Sequence, residues 1–196
     1  MGELVTIPMF PLTIFPLPGE LVPLHIFEPR YQQLLKEAEE QGVTFGIYFN
    51  HTANIRKFGA LVKLESVIKR YVGGESDVIV KGIGLFTMDK LYRTFGDKLY
   101  PGGDVEHFND TKDSVLHHVR LIKVYQEYLD ILDIHESKKD YSVYAIANQL
   151  QLELMDKLKL VSYDGARRET FLLSRIQYEV MLLKQAEKSK DVFHLN

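Results

Sequence analysis

The first 27 residues of the chain are strongly apolar, but prolines interrupt them too often for a helix. Five prolines lie between Leu4 and Phe27, and each proline in a helix interior costs about 3 kcal/mol. A membrane-spanning helix is therefore excluded for this stretch, which is predicted to be extended. Within it, the run from Leu21 to Phe27 predicts a buried strand.

A surface helix is predicted directly after this strand. Pro29 stands at the first helical position, where proline is tolerated, and Gly42 provides the stop. Charged residues of the segment fall on one face, and the apolar residues that share the other face are Tyr31, Leu34, Leu35 and Ala38. The helix is therefore predicted to be amphipathic and structural.

Short strands follow the helix. They are predicted at residues 44–49, 60–70, 77–81, 85–91 and 105–108. In the second of these strands, Val62, Leu64 and Ile68 are predicted to share the buried face. Strands of this length and spacing predict a small barrel or a curled sheet.

Glycines separate these strands. Gly73-Gly74 predicts a tight hairpin turn. Gly82 and Gly84 predict a bulge or bend between two strands, and residues 101–103 predict a glycine-rich loop.

The pattern changes from β to α near residue 109. Asp110 and Asp113 predict the acidic start of a helix that continues through residues 115–132. Three more helices are predicted at residues 143–150, 154–161 and 165–188, the first of them capped by Ser142. The chain is thus predicted to have an α+β fold, with a β lobe over residues 1–108 and a helical lobe over 109–196. Since no flexible linker separates the lobes, they are predicted to pack as one domain.

Charge and cysteine content narrow the function classes. The net charge is −3, whereas nucleic-acid binders concentrate Lys and Arg to neutralise phosphates. The chain has no cysteine, which excludes disulfides, thiol nucleophiles and Cys-ligated metals. Glu3 stands where a signal peptide would carry positive charge, so a cytoplasmic location is predicted.

No residue pattern in the sequence predicts a catalytic, cofactor or metal site. The fragment Gly82-Ile83-Gly84 lacks the third glycine and the following helix of a dinucleotide site, and no phosphate-binding loop is present. None of the seven histidines has a partner four residues away. Glu127, Asp130 and Asp133 recur on one helix, where a solvated acidic face is the better interpretation. An enzyme whose site is assembled only by the fold stays open.

Aromatic residues are concentrated in the β lobe. Most of the 11 Phe and 11 Tyr residues lie before residue 109, in a lobe too small to bury all of them comfortably. Exposed aromatic clusters commonly bind proteins. The residues predicted to form a protein-binding surface near turns and strand ends are Phe15, Leu17, Phe58, Tyr92, Phe95 and Tyr100. The alternative is that they fill the ends of the barrel as core.

Three blocks near the N-terminus form a specific composite signature. They are Pro8-Met9-Phe10-Pro11-Leu12, Leu17-Pro18-Gly19-Glu20 and the block from Pro23 to Tyr31. Together they resemble the start of the Lon protease N-terminal domain. The likeness extends over roughly residues 7–185, and it includes the segments Lys81 to Phe86 and Ala145 to Leu150.

This resemblance implies a fold and a function. The fold is a PUA-like, partly open β-barrel followed by a helical bundle. The function is non-catalytic recognition of unfolded or partly folded protein segments, because ATP hydrolysis and peptide cleavage belong to other domains of Lon. The resemblance also leaves a homo-oligomer open. No enzyme activity, cofactor or membrane partner is expected.

RNA binding is the alternative function. Only the PUA-like fold suggests it, and fold analogy alone is a weak argument for function. The candidate phosphate contacts would be Arg56, Lys57, Lys69 and Arg70.

Overall fold

A computed structural model describes residues 3–108, 116–135 and 141–193, with side chains as far as residue 187. The chain divides into two compact units, Met1–Asn109 and Asp110–Asn196. We call them the β lobe and the helical lobe. The predicted helix start at Asp110 and Asp113 lies outside the described residues. That the two lobes form one domain stays a prediction.

The β lobe contains six strands and one helix. The strands are β1 Leu4–Leu12, β2 Leu21–Ile26, β3 Phe45–Phe49, β4 Phe58–Arg70, β5 Ser76–Tyr92 and β6 Gly102–His107, and helix α1 spans Pro29–Gln41. Their order in the sheet is β2-β5-β4-β3-β1-β6, and β5 also pairs with β6. Only β1 and β3 are parallel among these pairs. The β5–β6 pairing closes five strands into a ring, and β2 stays as an edge strand.

Apolar side chains from several strands fill the interior of this partly closed barrel. Five of them, Ile7, Met9, Phe86, Met88 and Val105, form a buried cluster. Because these residues come from β1, β5 and β6, the cluster links the strands that close the ring.

The strand predicted at residues 21–27 is present as β2, but its predicted burial is wrong. Strand β2 pairs only with the first half of β5, and its side chains alternate between exposed and half-buried as far as Ile26. Pro23 fits this edge position, because proline has no N–H to give to a neighbour on the outer side. Leu21 and Phe27 are 57% and 60% exposed.

Bulges explain two further differences from the predicted strands. The pairing of β4 with β5 shifts register on either side of Val67, and Ile68 is 62% exposed instead of facing the core. The two strands predicted at 77–81 and 85–91 form the single strand β5. The predicted bulge is confirmed, since Gly82 and Gly84 face adjacent residues of β4 and leave Ile83 unpaired.

The other turn signals had mixed outcomes. The hairpin at Gly73-Gly74 is confirmed, because the Gly74 N–H donates to the Tyr71 carbonyl at 3.0 Å. The predicted loop at residues 101–103 is only partly correct: Gly102 and Gly103 already belong to β6 and pair with both β1 and β5.

Helix α1 matches its prediction. Pro29 occupies its first turn, and Gly42 ends it in the left-handed region at φ 68°, which glycine adopts without steric cost. Tyr31, Leu34, Leu35 and Ala38 are buried.

The helical lobe contains four helices in its described residues. They are α2 Val119–Ile131, α3 Val143–Gln149, α4 Leu154–Ser162 and α5 Gly165–Phe193. The predicted cap is confirmed, because the Ser142 hydroxyl accepts from the Ala145 N–H at 3.1 Å. Along α5, Leu172, Ile176 and Val180 are buried. No helix in the described part of the chain is both long and apolar enough to cross a membrane.

Helix α2 begins later than the sequence predicts, and a buried carboxylate marks its start. The N–H groups of His117 and His118 donate to Glu169, and the His118 side chain accepts from the Leu121 N–H. Negative charge at a helix N-terminus is favourable because the first N–H groups have no partner within the helix. The neighbouring Arg168, also buried, donates to the carbonyls of Leu160 and Val161 near the end of α4.

Candidate functional site

Three of the predicted binding residues are core. Phe15, Leu17 and Phe58 are at most 2% exposed, so the expected exposure of these side chains is wrong. The Phe15 ring lies 6.2 Å from that of Phe49 and 6.4 Å from that of Phe58. The loop between β1 and β2 folds inward here, because burial of the Phe15 and Leu17 side chains is more favourable than leaving them in water.

The other three predicted residues lie near α1. Tyr100 is only 1% exposed, which also corrects its expected exposure, and its hydroxyl donates to Glu37 at 2.6 Å. This hydrogen bond holds the pKa of Glu37 below its usual value, with help from Lys98. Burial and Glu37 together raise the pKa of Tyr100. Phe95, half-buried, stacks on the Tyr100 ring at 6.0 Å.

Tyr92 keeps part of its surface exposed and lines a pocket of about 440 Å³. We call it the arginine pocket. Its lining residues come from the ends of β1, β3 and β5, from the first turn of α1 and from Pro101; they are Pro11, Arg30, Tyr31, Asn50, Leu91, Tyr92, Arg93 and Pro101. The volume lies within the range of small-ligand sites, roughly 300–1,000 Å³.

The two arginines differ in how they are held. Arg30 donates from Nε to Glu28 at 2.9 Å and from Nη2 at 2.7 Å, and its Cζ lies 4.5 Å from the centre of the Tyr31 ring. Among the described residues, no hydrogen bond or ion pair reaches the guanidinium of Arg93, which is exposed. Arg30 is therefore pre-positioned, while Arg93 keeps all its donors available.

The tyrosines form the walls of this pocket. Tyr31 stacks on Phe10 with ring centres 3.9 Å apart, and burial raises the pKa of its hydroxyl. The Tyr92 hydroxyl donates to Asp104, which raises the pKa of Tyr92. The pocket thus combines fixed apolar walls with two cations.

A second feature of the β lobe is an exposed aromatic surface at the end of β2 and the β4–β5 hairpin. It consists of His25, Phe27, Tyr71 and Val72, and we call it the hairpin patch. The His25 ring lies 6.0 Å from that of Phe27 and 5.9 Å from that of Tyr71. Val72, at the turn, is fully exposed.

Hydrogen bonds hold these rings in place. Asp77 accepts from the Tyr71 hydroxyl at 2.7 Å, and its other oxygen lies 2.6 Å from Nδ1 of His25. His25 first and Tyr71 second lower the pKa of Asp77. Lys69 lies over the Tyr71 ring at 4.4 Å. The patch is therefore exposed and ordered at once.

Sequence reasoning missed both features. Arg30 belongs to the signature block from Pro23 to Tyr31, where it forms an ion pair with Glu28. Nothing in the sequence distinguishes Arg93. The apolar run from Leu21 to Phe27 predicts a buried strand, which does not indicate the exposure of Phe27. The pairings of β5 with β2 and with β4, which place Asp77 opposite both His25 and Lys69, bring the patch together.

The four basic residues of the RNA alternative do not form one surface. Arg56 and Lys57 directly precede β4. Lys57 donates to the Asp89 carbonyl at 3.1 Å, and Arg56 lies over the Phe58 ring. Lys69 and Arg70 lie at the far end of the 13-residue strand β4, where Arg70 pairs with Glu39.

The structure also shows the surroundings of the three acidic residues in and just after α2 that were considered as a possible acid or metal site. Glu127 forms an ion pair with Lys184, both partly exposed, and Asp130 and Asp133 are exposed. Within the described residues, no three His, Asp or Glu side chains come together as a metal ion would require.

Comparison with known proteins identifies the family. The family model of the ATP-dependent protease La (LON) substrate-binding domain matches residues 6–170, so the chain belongs to this family. Its fold is that of Lon N-terminal domains, a PUA-like barrel with helices, as predicted. Comparison with curated proteins gave no significant match.

Two solved structures illustrate the fold. A Lon N-terminal domain protein from Xanthomonas campestris has 24% identity and a TM-score of 0.65, and the match covers 87% of this chain and 98% of that one. The N-terminal domain of a Mycobacterium avium complex Lon protease has 15% identity and a TM-score of 0.63, covering 88% and 98%. At such identities the likeness supports the fold alone.

Proposed function

We propose that this chain is a non-catalytic module that binds unfolded or partly folded protein segments through the hairpin patch. The observation that supports this most directly is the patch itself. Phe27 is 60% exposed, and hydrogen bonds to Asp77 hold the neighbouring rings of His25 and Tyr71 in place. Ordered aromatic side chains bind with a small loss of conformational entropy. Membership of a family named for substrate binding agrees with this role.

The partner is an extended polypeptide with apolar side chains that packs on the patch. Addition of a full strand to the edge of β2 is less favourable, because Pro23 in the middle of that strand offers no N–H. Tyr92 and Phe95, which keep exposed surface, extend the proposed contact area. The proposed location is the cytoplasm, since a chain without cysteine needs no oxidising compartment.

The test is binding of a fluorescein-labelled protein kept unfolded by reduction and alkylation of its cysteines. Fluorescence anisotropy should show association with the intact chain, and Phe27→Ser should weaken it roughly tenfold, as expected for a central aromatic contact. Tyr178→Ser, an aromatic substitution at a 51% exposed site of the helical lobe, should leave binding unchanged.

Two results would contradict the proposal. One is no association of the intact chain with the unfolded probe, and the other is equal affinity for the intact chain and Phe27→Ser. Sedimentation of the same samples would measure whether the chain forms a homo-oligomer.

A further inference from the structure

The arginine pocket carries charges that the hairpin patch does not explain. Among the described residues that line it, Arg30 and Arg93 are the only ones with charged side chains, and none carries a carboxylate. Glu28 offsets part of the charge of Arg30, and Asp104 bonds to Thr6 and Tyr92. Arg93 has no such partner among the described residues. The pocket therefore has an excess of positive charge available to a ligand.

We infer that the arginine pocket binds a carboxylate carried by a polypeptide next to an apolar side chain. Guanidinium groups present paired N–H donors that match the two oxygens of a carboxylate. Arg30 is already oriented by Glu28 and the Tyr31 ring, so binding does not have to order it. Asn50, exposed at the pocket, adds an amide donor.

The apolar walls specify the rest of the ligand. Pro11, Leu91 and Pro101 line the pocket beside the Tyr31 ring, and these groups favour an aliphatic or aromatic side chain over a bare anion. A volume of about 440 Å³ accommodates a short piece of chain, such as a terminal residue with its neighbour. The carboxylate can come from the C-terminus of the chain or from an Asp or Glu side chain.

The pocket and the hairpin patch include residues that are near neighbours in the chain. Phe27 and Arg30 are three residues apart, which limits their Cα atoms to about 11 Å. This inference rests on the proposed function, since the ligand is a polypeptide, and it adds a recognised chemical group to it.

The test uses three fluorescein-labelled hexapeptides that share a Leu-Phe ending. One has a free C-terminal carboxylate, one has a C-terminal amide, and one has the amide and an internal aspartate. We expect at least one carboxylate peptide to bind the intact chain roughly tenfold more tightly than the neutral amide. Comparison of the two carboxylate peptides identifies the source of the group.

Substitutions then assign the preference to the pocket. Arg93→Gln, at an exposed side chain, and Arg30→Gln should each remove most of the preference for carboxylate. Arg167→Gln, at an exposed arginine of α5, is the matched control and should retain it. Circular dichroism of each variant checks that the fold is unchanged.

Three results would overturn the assignment. They are equal binding of the neutral and carboxylate peptides, a preference that survives Arg93→Gln together with Arg30→Gln, and complete displacement of the peptides by equimolar inorganic phosphate. The last would indicate a general anion site. If the carboxylate preference is absent while the unfolded probe still binds in a Phe27-dependent way, only the pocket assignment fails. If neither probe binds, the proposed function fails as well.

Discussion

Individual buried polar side chains connect the loops of the β lobe to its core by hydrogen bonds. Asn54 is buried, and its amide donates to the carbonyls of Phe49 and Phe58 and accepts from the Phe58 N–H, each at 2.8 Å. Tyr100 holds the loop after β5 in a similar way, because its hydroxyl donates to Glu37 on α1. Both residues satisfy polar groups that burial would otherwise leave unpaired.

Tyr100 therefore acts on stability in a pH-dependent way. Tyr100→Phe keeps the buried ring but removes the hydroxyl that contributes most to lowering the pKa of Glu37. A carboxyl whose pKa is lower in the folded state stabilises the fold above its unfolded pKa, about 4.3, and this contribution is lost as pH falls through the folded value.

We predict that Tyr100→Phe lowers the free energy of unfolding by about 1.5 kcal/mol at pH 7, and that the difference from the unsubstituted chain shrinks below pH 4. Urea denaturation at several pH values measures this. Tyr178→Phe, at an exposed tyrosine, is the control and should change little at any pH. A difference at pH 3 as large as that at pH 7 would contradict the role of Glu37.

At the scale of elements, β5 organises the β lobe. It pairs with β2, β4 and β6, and its bulge at Gly82–Gly84 separates the part that carries β2 from the part that closes the ring. Gly82 also exchanges backbone hydrogen bonds with Gly19 and Glu20. The loop after β1 thus rests directly on the backbone of β5.

This close approach requires glycine at position 82. A Cβ there would lie 2.2 Å from the Leu17 carbonyl oxygen, whereas a Cβ on Gly84 would find its nearest neighbour, Leu61, at 3.8 Å. We predict that Gly82→Ala lowers the free energy of unfolding by about 3 kcal/mol, because backbone has to move. Gly84→Ala, two residues away, should cost much less. Chemical denaturation measures the free energy of unfolding of the two variants. Equal losses in this free energy would contradict the close approach of the Leu17 carbonyl to Gly82.

For the whole molecule, the charge distribution bears on the choice between polypeptide and RNA. Acidic and basic residues are nearly balanced over the chain, and the four basic residues proposed as phosphate contacts lie at opposite ends of β4, with Arg70 paired to Glu39. Binding to phosphates gains its energy from many cations that act together and release counterions.

We predict that the intact chain gives no salt-sensitive gel shift with a labelled single-stranded RNA at physiological ionic strength. Substitution of Lys57 and Lys69 by Gln should have no effect on the mobility of the RNA. A shift that weakens steeply with added salt and is lost in this double variant would restore the RNA alternative.

Local sequence patterns are enough to predict the identity and order of most elements. Helix α1, the cap at Ser142, the hairpin at Gly73-Gly74 and the bulge at Gly82–Gly84 all depend on local backbone preferences, which act within a few residues and can be read from them. The motif blocks near the N-terminus likewise gave the family, because they combine these local constraints in one specific order.

Which side chains face solvent, and which of them come into contact, depends instead on the tertiary structure. Phe15, Leu17, Phe58 and Tyr100 are core and Phe27 is exposed, because burial depends on pairing between strands distant in sequence and on bulges that reverse a face. Arg30 and Arg93 share a pocket although 63 positions separate them. Such non-local contacts leave no periodic trace in the sequence, so the candidate site became visible only in the folded chain.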